Sequence, residues 1–403
     1  MAEIRPALAD LDSLAILEDP YPAYRALREA DPVHLMPSGK WYLTRYDDVA
    51  TIFTDKRFCR AAPEGFALLE YERRESTTFD EMIAKWMLFM DPPAHTRLRQ
   101  LVNGWFTPRR IENMRPAIQS IVDDLLNAVE NNRSLEFVSD FAYPLPVIVI
   151  SRILGVPRED YGRFRQVSQQ LNKAIDTGRM EDAAGGRDAI KELKGYFEDQ
   201  IARRRKAPED DLISYFLSAQ TQDAAGDDDE MASTCIMLLF AGHETTKNLI
   251  SSAILTLIRN PAQQNRLQRD PELISSAVEE FLRFESPVQK TGRWTREDVA
   301  IGGKTIPKDR LVVGVIAAAN RDPEKFPDPD QLDIARNDGA HLAFGRGAHH
   351  CTGNLLARIE AQIAINTLLR RLPRLALASE RPEWQETLVI RGMKKLPVTV
   401  ERR

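Results

Sequence analysis

His341-Leu-Ala-Phe344-Gly345-Arg346-Gly347-Ala-His349-His350-Cys351-Thr-Gly353-Asn-Leu-Leu-Ala-Arg358 sets one cysteine after a glycine-punctuated loop and at the head of a helical pattern. Glycines admit turns that other residues resist, so amide N–H groups can crowd close to whatever the cysteine carries. Downstream, Leu355, Leu356, Ile359, Ile363, Leu368 and Leu369 recur at helical spacing. Cys351 is thereby expected at a helix N-terminus, where unpaired N–H groups and the dipole favour a thiolate. A thiolate held in this way is a ligand for a soft metal or a nucleophile. The loop alone leaves both open.

The chain has 403 residues, 43% of them hydrophobic and 29% charged, an ordinary globular composition. Length alone suggests two or three domains. The net charge of −5 argues against a general nucleic-acid binder. No run approaches the ~18 apolar residues of a membrane span. The best candidate, residues 147–156, is interrupted by Ser151 and Arg152. The start, Met-Ala-Glu-Ile-Arg-Pro, has no signal-peptide core. Cys59, Cys235 and Cys351 are too scattered for a disulfide framework. These features together read as a cytoplasmic protein.

Helical patterns recur at residues 110–131, 158–175 and 186–205, and residues 145–155 read as a buried helix ending at Gly155. Val33-His-Leu-Met and Trp41-Tyr-Leu-Thr flank Pro37-Ser-Gly-Lys, a hairpin signature. Residues 287–318 alternate strand-like runs with turns, and Leu388-Val-Ile and Val398-Thr-Val read as two more short strands. Residues 58–80 have no period and read as a long loop. Helix dominates, with strand confined to a minor part.

One helical run breaks its own rules. Ile236-Met-Leu-Leu-Phe-Ala241-Gly242-His243-Glu244-Thr245-Thr246 passes from strongly apolar to polar and back. A mid-helix glycine costs up to ~1 kcal/mol relative to alanine. Buried Glu and Thr cost more unless they are satisfied. The run is either a site or a polar patch facing solvent on a bent helix. Glu280 and Arg283, three apart, can pair on one helix face.

Together these stretches resemble the soluble bacterial cytochrome P450 monooxygenases over nearly the whole chain. Phe344, Gly347, Cys351 and Gly353 fall in register with that family's cysteine loop, the 241–246 run with its oxygen-activating helix, and Glu280-x-x-Arg283 with its structural pair. The resemblance implies one mainly α, triangular domain over residues 1–403, with a minor β region. It implies haem b, with Cys351 as the axial thiolate on iron and O2 as co-substrate. The Cys351 loop, including Gly345 and Gly353, would hold the haem. His95, Arg99, Arg293 and His341 would meet its propionates. Ala241 and Gly242 would line the oxygen side, with Gly242 leaving room for dioxygen. Glu244 and Thr245 would form an acid–alcohol pair, Thr245 positioning water and Glu244 linking it to solvent. Arg321 or Arg336 would complete a triad with Glu280 and Arg283.

Substrate contacts are implied at Met87, Leu88, Phe89, Leu238, Val288, Gln289, Lys290, Ile390 and Met393, with Gln289, Lys290 and Arg391 as polar anchors. The expected substrate is a lipophilic polyketide, terpenoid or macrolactone. The alternative is a fatty acid or carrier-bound acyl chain. No flavin or dinucleotide-binding segment is evident, so the resemblance implies a separate ferredoxin or flavodoxin. That partner would dock on Arg97, Arg109, Arg110, Arg346 and Arg358. A monomer is expected. Readings from other classes are a zinc site at His349, His350 and Cys351, a nucleophilic Cys–His hydrolase, and a non-catalytic haem-binding recruitment protein.

Overall fold

The computed structural model describes residues 11–64, 83–129, 132–177, 180–220, 226–379 and 381–400. The principal helices are α1 (Tyr21–Ala30), α2 (Tyr46–Thr54), α3 (Ala94–Trp105), α4 (Arg115–Val129) and α5 (Pro144–Ile153). They continue with α6 (Tyr161–Thr177), α7 (Met180–Lys206), α8 (Asp228–Arg259), α9 (Ile274–Phe284) and α10 (Asn354–Arg371).

Short strands tie the two halves of the sequence together. β1 (Val33–Leu35) and β2 (Trp41–Leu43) form the expected hairpin, with Val33 opposite Leu43 and Gly39 turning at φ +86°. Two later strands, β5 (Lys290–Thr295) and β8 (Leu311–Val315), join this hairpin and β3 (Phe58–Cys59) in one sheet of order β1-β2-β8-β5-β3. β4 (Ser134–Glu136), β12 (Pro397–Val400) and β9 (Leu375–Leu377) form a second sheet. β10 (Glu383–Trp384) pairs with β11 (Met393–Lys395). Residues 388–390 are not a strand; they make only a single bridge, Ile390 opposite Val288. The loop expected at 58–80 holds β3 at its start, and residues 65–82 lie outside the described residues.

α8 is the axis on which the other helices pack. Asp227 caps it, its carboxylate accepting from the Glu230 amide at 2.9 Å, and Asp228, Asp229 and Glu230 put negative charge at its N-terminal dipole. The helix runs unbroken through the Gly-His-Glu-Thr-Thr segment. Almost every side is apolar, as burial on all sides requires, and it packs on α5, α7, α9 and α10. A Cβ on Gly242 would stand 3.1 Å from Ile150 Cγ1. The glycine expected to leave room for dioxygen thus also packs closely against α5.

The Glu280–Arg283 pair is buried rather than solvated. Arg283 donates to both carboxylate oxygens of Glu280 at 2.7 and 2.8 Å, and to the Asn320 and Pro329 carbonyls at 2.9 and 2.8 Å. Arg336 completes the triad from the other side, 3.2 Å from Glu280. Arg321, the other candidate, instead binds Asp330 and the Phe284 carbonyl. The triad pins the irregular segment before the cysteine loop onto α9.

Removing Arg283 strips buried Glu280 of its bidentate partner and leaves it to Arg336 and the Asp333 amide. Arg283→Ala is expected to cost about 3–5 kcal/mol in denaturant unfolding. Arg336→Ala is expected to cost less, because Glu280 keeps its bidentate partner.

Candidate active site

The cysteine loop is shaped by two glycines in the left-handed region, Gly345 and Gly347, each at φ +65°. A Cβ on Gly347 would lie 2.5 Å from the Phe53 carbonyl oxygen, so only glycine lets the loop rest on α2. The Cys351 amide then donates to the Phe344 carbonyl at 2.9 Å, and α10 begins three residues on. The Phe344 ring lies 4.4 Å from the Arg358 guanidinium carbon. Thr352 Oγ1 is buried with no hydrogen-bond partner in the chain.

Helix position alone does not make Cys351 a thiolate. Burial pushes its thiol up; a hydrogen bond from the Gly353 backbone and the charges of Arg99 and Arg358 pull it down without overcoming that push. A bound metal ion deprotonates such a thiol outright.

Basic side chains gather close to this loop. The His95 and His349 rings lie 4.0 Å apart, and His95 is buried with both ring nitrogens unpartnered. Arg99 donates to the His350 carbonyl. Arg293 is held by the Gly292 carbonyl at 2.8 Å and lies over the Phe53 ring. Arg60 donates to the Leu88 and Gly292 carbonyls at 2.7 and 2.8 Å.

Burial, with Arg60, His95, Arg293 and Arg99, pushes His349 down to about 2. Burial pushes Arg60 down to about 10, and burial with Arg60 drives Arg293 well below its usual value. Asp91 offsets this only in part, since its oxygens already serve the Arg60 and Ala61 amides and Arg296. So many confined like charges fit a ligand carrying carboxylates.

His341 is not in this group. Its Nε2 sits 3.2 Å from Glu279, which also holds Arg358 at 2.6 Å. Burial raises the Glu279 carboxyl, but His341 and Arg358 outweigh it and bring it to about 2. His349 and Arg60 are the members missed from sequence. His349 stands in the cysteine loop itself, two residues before the ligand, a signal that could have been used. Nothing local marks Arg60.

On α8, Ala241 is the one exposed residue between Met231 and Leu257. Thr245, one turn on, is half-buried on the same face, its hydroxyl donating to the Ala241 carbonyl at 3.0 Å. A single open face on an otherwise enclosed helix suits a bound group. His243, Glu244, Thr246 and Lys247 are buried, which removes the solvent-facing patch reading. Glu244 is bound by Lys247 and by Gln385 at 3.1 Å, so its link to solvent is not direct.

The expected substrate contacts divide. Leu88, Phe89, Val288 and Ile390 are partly exposed, and the last two are brought together by their bridge. Met87 and Leu238 are packed into the main core. Met393 is fully enclosed in it. Gln289 is buried and donates to the Ser286 carbonyl at 2.7 Å.

Lys290 turns to the N-terminal segment, its Nζ on the Leu11 carbonyl and 5.5 Å from the Tyr42 ring centre. Arg391 binds Glu285 at 2.5 Å and the Leu17 and Glu18 carbonyls. The proposed anchors are thus engaged elsewhere. The expected basic docking face is also largely neutralised: Arg97 pairs with Glu230, Arg110 with Asp210 and Arg358 with Glu279, and Arg346 bonds the Tyr46 hydroxyl. Arg109 is exposed.

A helical fold around a loop-borne cysteine, with a basic cluster for an acidic prosthetic group, defines a haem-thiolate protein. The chain belongs to the cytochrome P450 family, whose model matches residues 33–391. It is 40% identical over 393 residues to the biotin biosynthesis cytochrome P450 of Bacillus subtilis (strain 168), covering 96% of this chain and 98% of that one. It is 41% identical over 400 residues to the vitamin D(3) 25-hydroxylase of Pseudonocardia autotrophica, covering 97% and 96%. The crystal structure of P450BioI in complex with hexadec-9Z-enoic acid ligated acyl carrier protein superposes with a TM-score of 0.90 at 40% identity, covering 96% and 99%. The protein is a monooxygenase with haem on an axial cysteine thiolate and O2 as co-substrate. Among the described residues no helix is long and apolar enough to cross a membrane.

His349→Ala is expected to lower haem retained through gel filtration several-fold. His341→Ala should keep haem and cost only about 1 kcal/mol of stability, the scale of one hydrogen bond. Absorbance of haem against protein, with a denaturant titration, separates the two.

Proposed function

We propose that this monooxygenase inserts one oxygen atom into a C–H bond of a neutral, medium or large lipophilic molecule of polyketide, terpenoid or macrolactone type. The observation that carries the reading is the engagement of Lys290 and Arg391 by N-terminal carbonyls and Glu285. With the candidate cations occupied, the contacts left at Leu88, Phe89, Val288 and Ile390 are apolar. Their burial of a ligand is worth roughly 25 cal/mol per Å². Hydroxylation of a compound of this character is named for the 41% identical relative.

Cys351 would hold the haem from below, and Arg60, His95, Arg99, Arg293 and His349 would meet its acid groups. The haem supplies oxygen activation. The chain orients substrate, excludes water and moves protons. Thr245 holds water at its hydroxyl, and Glu244 hands a proton toward it. Electrons come from a separate ferredoxin or flavodoxin. The whole chain works as one haem-thiolate unit in the cytoplasm; the family match across residues 33–391 and the docking of residues 11–18 support this.

A second reading is favoured by one comparison. The match to a P450 solved with an acyl-loaded carrier supports action on a carrier-bound acyl chain.

Titration of a compound panel, read by the high-spin shift of the Soret band, tests the choice. Neutral polycyclic or macrocyclic compounds should bind more tightly than free fatty acids. Tightest binding by an acyl-loaded carrier would overturn the primary reading. Lys290→Met should change affinity for a fatty acid and for its neutral alcohol equally. Thr245→Ala should keep haem and raise the share of electrons lost as hydrogen peroxide several-fold; unchanged coupling would remove Thr245 from proton delivery.

A further inference from the structure

Among the buried charges that the mechanism above leaves unused, one touches its residues directly. Lys247 lies on α8 one turn after Glu244 and is 2% exposed. Lysine enters a core almost only when paired, and the Nζ of Lys247 contacts Glu244 Oε1. A second element reaches the same oxygen: Gln385, half-buried just after β10, donates from Nε2 at 3.1 Å. Gln385 is itself fixed by its amide, which donates to the Gly392 carbonyl at 3.0 Å. His243 keeps its Nδ1–H on the Leu239 carbonyl at 2.5 Å and its Nε2 3.9 Å from the other Glu244 oxygen. It cannot replace Lys247 as a hydrogen-bond partner at that distance.

Glu244 is therefore clamped between α8 and the β10–β11 hairpin, while Thr245, the next residue, looks out on the open face. Burial works against charge on Glu244; Lys247, His243 and Gln385 outweigh it and keep the carboxyl below its ordinary range. A pair serving stability alone could be exchanged for apolar side chains at little cost.

We infer that Lys247 is a positioning residue for oxygen activation: with Gln385 it fixes the Glu244 carboxylate next to Thr245, and protons reach Thr245 through the carboxylate so held. The inference rests on the Glu244–Thr245 relay proposed above.

Four haem-loaded variants of the full chain test it: K247M, E244Q, Q385L and the K247M/E244Q double variant. Myristic acid is the probe, and a plant-type ferredoxin with its reductase supplies electrons. Three quantities are read: the share of electrons leaving as hydrogen peroxide, the solvent isotope effect on reductant consumption, and the infrared band of a protonated carboxyl in the resting protein.

K247M should raise the peroxide share several-fold, enlarge the isotope effect and add a protonated-carboxyl band to the one the wild type already owes to buried Glu360, whose carboxyl burial holds well above its ordinary range. The double variant should lack that added band and match E244Q, because Lys247 acts only through Glu244. Q385L should shift peroxide and isotope effect in the same direction by less. If E244Q differs from wild type but K247M does not, the positioning role falls and the relay stands. If E244Q itself matches wild type, the relay falls. Should K247M fail to fold, the double variant, which keeps no buried charge, and Q385L decide. A double variant worse than E244Q, or an unchanged Q385L, overturns the inference.

Discussion

A crowd of like charges is the constraint on which this structure turns. Arg60, Arg99 and Arg293 carry that charge, with Asp91 in partial opposition, and burial beside them pushes the imidazoles of His95 and His349 down; the five come from four separate stretches of chain. Bringing cations out of water costs free energy that their mutual repulsion increases. Carboxylates of a bound haem would remove that cost. The same logic applies to Cys351, whose buried sulfur becomes a thiolate against a positive iron. Haem binding and folding are thus coupled at two points of opposite charge. This arrangement makes the cofactor part of the core.

α8 solves a different problem. It carries polar side chains through the interior, where Asn248 keeps both its polar atoms unpaired among the described residues while most others are satisfied within the helix. Thr245, Thr246 and Ser251 donate to carbonyls one turn back, and His243 does the same through Nδ1. These bonds cost the helix little and need no partner from elsewhere. Glu244 differs, since no backbone group within its helix can hold a carboxylate. Its partners come from Lys247 and from the distant β10–β11 hairpin.

Legibility followed the range of the interaction. The Cys351 loop, the β1–β2 hairpin, α8 and the Glu280–Arg283 pair were readable because spacing and turn chemistry are local. The third triad member was narrowed to Arg321 or Arg336 but needed the fold to decide. His341 was preferred to His349 although His349 stands in the cysteine loop itself; that it meets His95 while His341 meets Glu279 is set by the fold. The close approach of Gly242 to Ile150, some ninety residues earlier, has no local signal. Lys290 and Arg391 looked like pocket anchors until the carbonyls of residues 11–18 were found on them. Each miss concerns where a side chain points, and that is set by tertiary neighbours.

The N-terminal segment has a consequence in time. Its carbonyls at Leu11 and Leu17 are hydrogen-bonded to Lys290 and Arg391, partners 279 and 374 residues further along the chain. On the ribosome this segment emerges long before its partners, and its acceptors must wait until those later stretches exist. Contacts of such separation form late. An early segment therefore joins the structure late, and it fastens the turn beside Ile390 only once the cysteine loop has already been made.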